Sequence, residues 1–250
     1  MSISAEQRRN ESGIVEGLRA AVPALLIALV IRTVLFEAFT IPSGSMKATL
    51  LVGDYLFVSK YSYGFSHYSL PFSPQWFSGR IFGAMPERGD VVVFRLPKDD
   101  SIDYIKRVIG LPGDRIKVVD GMIFINGKAV KRERVNDFVD DEGGVSNYVH
   151  RWRETLPNGV SYETLDLQDD GPLENTEEYR VPAGHYFMMG DNRDNSQDSR
   201  VLSAVGYVPF ENLVGKAQVI FFSTTDDRPG WHFWNWPHAV RWSRLFTIVR

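Results

Sequence analysis

The sequence predicts a mostly β protein, a membrane-anchored β-sheet domain preceded by one transmembrane helix. Three observations carry that expectation. The most apolar stretch of the chain, Ala20 to Ile31, runs twelve residues without a polar side chain. After Leu50 the texture changes to short segments rich in β-branched and aromatic residues, which suit a pleated, half-buried surface. Between those segments stand turn signals, Leu111-Pro112-Gly113-Asp114 and Asn126-Gly127; Asn-Gly between apolar runs is the strongest two-residue hairpin signal.

In chain order, residues 1–17 read as a short, mobile polar tail with Arg8 and Arg9 among several glutamates. Residues 18–40 read as the anchor. The unbroken apolar run is short of the roughly 20 residues a bilayer crossing needs. Counting through Arg32 to Phe36 lengthens it to seventeen, and an arginine near the end of a span can snorkel to the interface. A buried core helix and a cleaved signal peptide are the other readings; no small-x-small cleavage site follows the run. Arg8, Arg9 and Arg19 place the amino side in the cytoplasm. Asp54–Tyr61 reads as a strand. Residues 64–82, with Phe65, Tyr68, Phe72, Trp76, Phe77 and Phe82, read as a loop that packs on its own domain or rests on the bilayer. Further strands are expected at 91–96, 103–110, 115–119, 121–125, 184–189 and 213–223. Residues 133–180 are polar and poorly patterned, and Trp231, Trp234, Trp236 and Trp242 crowd the last twenty positions.

Composition bounds the function. A chain of 250 residues, 44% hydrophobic and 24% charged, supports one large packed domain or two small ones. A net charge of -3 gives no electrostatic case for nucleic acid. Without cysteine there is no disulfide, thiolate nucleophile or thiolate metal site.

Chemistry is concentrated in three places. The first is Ile41-Pro42-Ser43-Gly44-Ser45-Met46-Lys47, where Pro42 fixes φ and Gly44 offers turn freedom, so that a serine hydroxyl can project from the chain. The second is Lys106, flanked by Tyr104, Ile105, Val108 and Ile109. The third is Gly190 to Arg200, dense in charges and amides, directly after an apolar strand. Serine needs a base to become a nucleophile. The five histidines lie in no dense polar motif. A lysine can serve if apolar surroundings lower its pKa from about 10.4. Lys106 has such neighbours, although an exposed strand lysine is the plainer reading. Lys47 is a rival, expected to be solvated and to keep its charge. The 190–200 loop lacks the central glycine and final glutamate of an EF-hand. It reads as a loop braced by Asp–Arg pairs.

Together these segments resemble bacterial signal peptidase I, the membrane-anchored Ser-Lys endopeptidase of peptidase family S26. Pro42-Ser43-Gly44-Ser45-Met46, Arg88-Gly89-Asp90-Val91-Val92-Val93-Phe94, Asp103 to Asp114 and Gly190 to Arg200 are similar to that family's four boxes, in the right order after an amino-terminal anchor. The resemblance runs from about residue 20 to 220. It implies Ser45 as nucleophile, Lys106 as general base and Ser43 as an oxyanion donor beside the Ser45 N–H. Ser196 would orient the Lys106 amine. Asp198 and Arg200 would brace a supporting loop that includes Gly190, Asp191 and Arg193. Phe39, Ile41, Pro42 and Met46, with Leu50, Val93, Tyr104 and Ile105, would line shallow pockets for small side chains. The implied partners are preproteins with small residues before the cleavage site, and membrane lipid, with no nucleic acid and no cofactor or metal. The implied setting is the bacterial cytoplasmic membrane, crossed once, with a catalytic domain over 41–250 on the outer side and an inserted β subdomain at about 111–183. Ala48 stands where the family often has proline, and no second apolar run precedes Ser45. A membrane-tethered β domain that binds exported chains without cleaving them is the alternative. A LexA-type repressor would need a helix-turn-helix where this chain has its apolar run.

Overall fold

The computed structural model describes residues 5–70, 73–140, 146–168, 171–225 and 236–250, without the side chains of 5–16, 18 and 236. Phe72, Trp231 and Trp234 therefore lie outside the described residues.

The chain opens with a helix, α1 (Ala5–Val30), that passes into a π-helical turn at Ile31–Leu35. The polar segment expected to be a mobile tail is thus helical from Ala5, as its alanine, glutamate, glutamine and arginine residues favour. The far end of the expected anchor is corrected as well. Phe36–Thr40 is a strand, β1, paired antiparallel with β2 (Asp54–Ser59) from Phe36↔Ser59 to Thr40↔Tyr55. Its Glu37 is held by the Lys60 ammonium at 2.8 Å, which draws the chain into the sheet. The apolar helical stretch spans residues 20–35, about 24 Å at 1.5 Å per residue, against about 30 Å of bilayer hydrocarbon. No helix among the described residues is long and apolar enough to cross a membrane.

After β1 and β2 the chain builds β3 (Val91–Leu96) and β4 (Asp99–Gly110). The central sheet is completed late in sequence by β13 (His185–Met189), β14 (Val208–Pro209), β15 (Leu213–Ser223) and β16 (Thr247–Ile248). Its order is β1-β2-β15-β3-β4-β13-β14, with β16 on β15. In β3 nearly every residue is buried because both faces of the sheet are covered. Val91 and Val93 face a core with Ile41, Met46, Leu50 and Leu56. Val92 and Phe94 face a second core with Val108, Tyr186 and Met188.

Between β4 and β13 lie two smaller sheets. One runs β12-β5-β6-β7, from β5 (Arg115–Val119), β6 (Met122–Ile125), β7 (Lys128–Ala129) and β12 (Tyr179–Arg180). Asn126 and Gly127 both take positive φ between β6 and β7, as the hairpin signal requires. The other contains β8 (Lys131–Arg134), β9 (Phe138–Asp140), β10 (Asn147–Thr155) and β11 (Ser161–Asp166). The expectation of a poorly patterned 133–180 is corrected here. The faces of these strands carry charge pairs rather than apolar alternation: across β10 and β11, Arg151 with Glu163 at 3.0 Å and Arg153 with the same carboxylate at 3.3 Å, and, reaching over β10 from β8 to β11, Arg132 with Asp166 at 2.5 Å. Cross-strand charge pairs stabilise a sheet without leaving an apolar period to read.

The aromatic 64–82 segment divides. Phe65 bridges to Ile81 and Arg80 donates to the carbonyls of Tyr63 and Gly64, so its base packs on the domain. Trp76 and Phe82 are more than 80% exposed.

Candidate active site

Ser45 sits in a single 3-10 turn, Gly44–Met46, reached from β1 through Ile41-Pro42-Ser43. Gly44 does not use the left-handed freedom expected of it; a Cβ there would instead meet the Lys47 stem at 3.2 Å. Two backbone carbonyls of the turn are tied down by Asn192, whose side-chain amide donates to Gly44 O at 3.0 Å and whose N–H donates to Ser45 O at 3.1 Å. Sequence reasoning passed over Asn192; nothing local separates it from its polar neighbours.

Lys106 comes from β4, opposite Val92 of β3. β13 accompanies β4 from Gly110 to Arg107 and then gives way to residues 190–200. Lys106 is 4% exposed, not on a solvent face. Its Nζ donates to Ser45 Oγ at 2.7 Å and to the Ile105 carbonyl at 2.9 Å. Burial pulls its pKa from 10.5 down to about 8, against the carboxylates of Asp198 and Asp191, which favour the charged form. Ser43 Oγ lies 3.4 Å from Ser45 Oγ. No histidine among the described residues bonds to Ser45; His67 instead faces Glu211.

The 190–200 loop is a scaffold of buried charge. Asp198 accepts from Gly190 N, Ser196 Oγ and the Arg200 guanidinium, all at 2.8–3.0 Å. Burial would raise the Asp198 pKa, but Arg200 and these donors hold it below the usual carboxylate range. The other three loop charges find partners outside the loop, a departure from the self-braced reading; Asp194 accepts from the N–H groups of Leu167 and Gln168 at 2.8 and 3.1 Å. Asp191 accepts two bonds from Arg107 of β4, at 2.8 and 2.6 Å, and one from Thr49. Arg193 makes a two-pronged pair with Glu154 of β10, at 2.8 and 2.6 Å. Ser196 differs from expectation too. Its hydroxyl is committed to Asp198 and the Lys106 amine bonds elsewhere. Gly190 lies where nothing larger fits: a Cβ would fall 2.2 Å from Ser196 Oγ and 2.5 Å from Ser45 O. Gly190→Ala must push the serine turn or the loop aside. It is expected to lower the rate of any reaction at Ser45 about 100-fold while the circular dichroism spectrum stays that of the parent.

The residues expected to line substrate pockets divide by burial. Met46 and Leu50 are wholly buried, and Ile41 and Val93 are nearly so. They form the floor beneath Ser45 rather than a surface, because the 3-10 turn directs Met46 into the core. Phe39, Tyr104 and Ile105 are half-buried and Pro42 is exposed. Lys47 is corrected most sharply: it is 5% exposed, and its Nζ donates to Asp140 of β9 at 2.7 Å.

One carboxylate trio, Asp166, Glu174 and Asp194, has oxygens within 4.8 Å of one another. Burial, then Asp166, raises the Glu174 pKa to about 7, and Arg132 pairs with Asp166. The trio suits a shared proton that joins residue 174 to the 190–200 loop.

The family model described as signal peptidase, peptidase S26, matches residues 14–222. A signal peptidase I of Rickettsia canadensis is 52% identical over 206 residues, covering 79% of this chain and 76% of the relative. One of Rickettsia typhi is 50% identical over 208 residues, covering 80% and 77%. A crystal structure of a signal peptidase I from Enterococcus faecalis is 26% identical and covers 53% of this chain and 97% of that one, with a TM-score of 0.31.

Proposed function

The chain belongs to the signal peptidase family, peptidase S26, and from that premise we propose that it removes amino-terminal signal peptides from exported preproteins with a Ser45–Lys106 dyad. It is a serine endopeptidase of the signal peptidase type. The observation that carries the dyad is the buried Lys106 Nζ at 2.7 Å from Ser45 Oγ.

In this mechanism neutral Lys106 takes the Ser45 proton as Oγ attacks the carbonyl carbon of the scissile peptide. The oxyanion accepts hydrogen bonds from the Ser43 hydroxyl and the Ser45 N–H. Protonated Lys106 then passes its proton to the leaving amine, and the C–N bond breaks to give an acyl-enzyme. A water, deprotonated by the same amine, attacks the ester, and Ser45 recovers its proton as the signal peptide departs with its new carboxylate. Ser196 acts through Asp198 on Gly190 and so on the floor of the site. Phe39, Tyr104, Ile105 and Pro42 offer the substrate-facing surface, which suits small residues before the cut.

We read residues 18–35 as the membrane-embedded part, with the amino terminus cytoplasmic and the catalytic domain, 41–250, outside. Residues 111–183 form an inserted subdomain in that reading. The support is the bare apolar surface of α1, where Leu25 is 71% and Ile27 is 60% exposed. A span of about 24 Å fits a bilayer thinned locally, with Arg32 snorkelling to the head groups.

The test is cleavage of a test preprotein by purified variants. Ser45→Ala is expected to release no mature protein, and Ser43→Ala to cleave about 100-fold more slowly with little change in KM. Full activity of Ser45→Ala would refute the dyad, and a parent protein that binds the preprotein without cutting it would leave a binding-only domain as the better reading.

A further inference from the structure

We propose that the ion pair between buried Lys47 and half-buried Asp140 is a positioning device for the nucleophile, by which the inserted β region clamps the turn that carries Ser45. The inference rests on reading Ser45 as the nucleophile.

The turn is weak by itself. It is one 3-10 turn, closed by Lys47 N–H donating to Gly44 O at 3.1 Å, and such short turns have poor hydrogen-bond geometry. The Lys47 stem lies across Gly44: its Cε and Cδ are 3.2 and 3.4 Å from the place a Gly44 Cβ would occupy, with the Asn195 amide at 3.5 Å. The side of Gly44 that would carry a Cβ is therefore covered by a lysine stem and an amide from the 190–200 loop. The peptide that follows Gly44 carries the Ser45 N–H, the donor assigned to the oxyanion. Whatever holds Gly44 sets where that N–H points.

The ammonium end of the stem is then fixed from 93 residues away. Asp140 ends β9, which is paired with β10 at Asn147↔Asp140, and β10 carries Glu154, the partner of Arg193 in the catalytic loop. One sheet thus grips both sides of the site, through Lys47 at the serine turn and through Arg193 at the loop. An ion pair of this kind adds little net stability; in this proposal its contribution is to fix geometry. A lysine two residues after the nucleophile would otherwise extend into water. Here it is held by its charge and covers Gly44 with its stem.

The experiment uses the full chain and a test preprotein. Active sites are counted by titration with a serine-acylating inhibitor, so rates refer to folded, competent enzyme. Asp140→Asn and Lys47→Met are each expected to lower kcat about tenfold with KM within twofold, since a displaced oxyanion donor acts on the transition state. The double variant Lys47→Met/Asp140→Asn is expected to fall no further than the worse single variant. Lys47→Arg, which keeps the charge, is expected to retain most of the rate. Unchanged kcat in both single variants, or losses that multiply in the double, would overturn the proposal. A loss wholly accounted for by fewer titratable sites would overturn it too, since the pair would then serve folding alone. Ser45→Ala, run in parallel, separates the two readings. If it cleaves, the dyad reading fails. If it is inert while the pair variants work normally, only the clamp fails.

Discussion

Lys106→Met is expected to lower kcat/KM for preprotein cleavage by about 10^4-fold, the scale seen when a nucleophile loses its base. Methionine keeps most of the stem volume, so β4 and the floor beneath Ser45 should fold as before, and a lost rate reports lost proton transfer. The same amine sets the pH dependence of the parent enzyme. Burial brings its pKa to about 8, and only the neutral form can accept a proton. Below that pH the neutral fraction falls tenfold per unit, so kcat/KM should rise with slope one on a logarithmic plot up to about pH 8 and then level off. The sign is fixed by the direction of the shift: a lysine left at 10.5 would still be climbing at pH 10. A flat profile between pH 6 and 8, or substantial activity in Lys106→Met, would remove Lys106 from the role of base.

Arg107→Met carries the largest expected cost in stability, on the order of 3–5 kcal/mol. The guanidinium is fully buried. It donates to Asp191 twice, to Gly89 O at 2.8 Å, to Thr49 Oγ1 at 3.1 Å and to Arg250 O at 3.1 Å. Burial disfavours its charge, but Asp191 outweighs that and raises its pKa. Methionine would leave the Asp191 carboxylate, itself 1% exposed, without its counter-charge. Urea unfolding is the measurement. Arg107→Met/Asp191→Leu should recover part of the loss, because removing both partners strands no buried charge. Equal midpoints for Arg107→Met and the parent would show that the pair is dispensable.

Much of the candidate site was legible because it lies in local patterns. Lys106 betrays itself by its neighbours Ile105, Val108 and Ile109, and the turn at 111–114 and the hairpin at 126–127 carry their own punctuation. What escaped depends on distant partners. Lys47 has the local look of a solvated loop lysine, and only a carboxylate on β9 makes it buried. Arg107 stands beside Lys106, yet nothing in the strand says that one side chain reaches a serine and the next an aspartate after β13. The strands of 131–166 were hidden by their charges, which pair across the sheet where a reader looks for alternating apolar residues. The apolar run was legible as a helix, but its end was not, because Glu37 finds Lys60 only once β1 and β2 have paired.

The clasp that Asn192 places on Gly44 and Ser45 reaches across 148 positions of sequence. While the polypeptide is still emerging from the ribosome, the alcohol and the amine are both made long before the segment that holds them in register. A half-synthesised copy therefore carries both reactive groups without the means to align them.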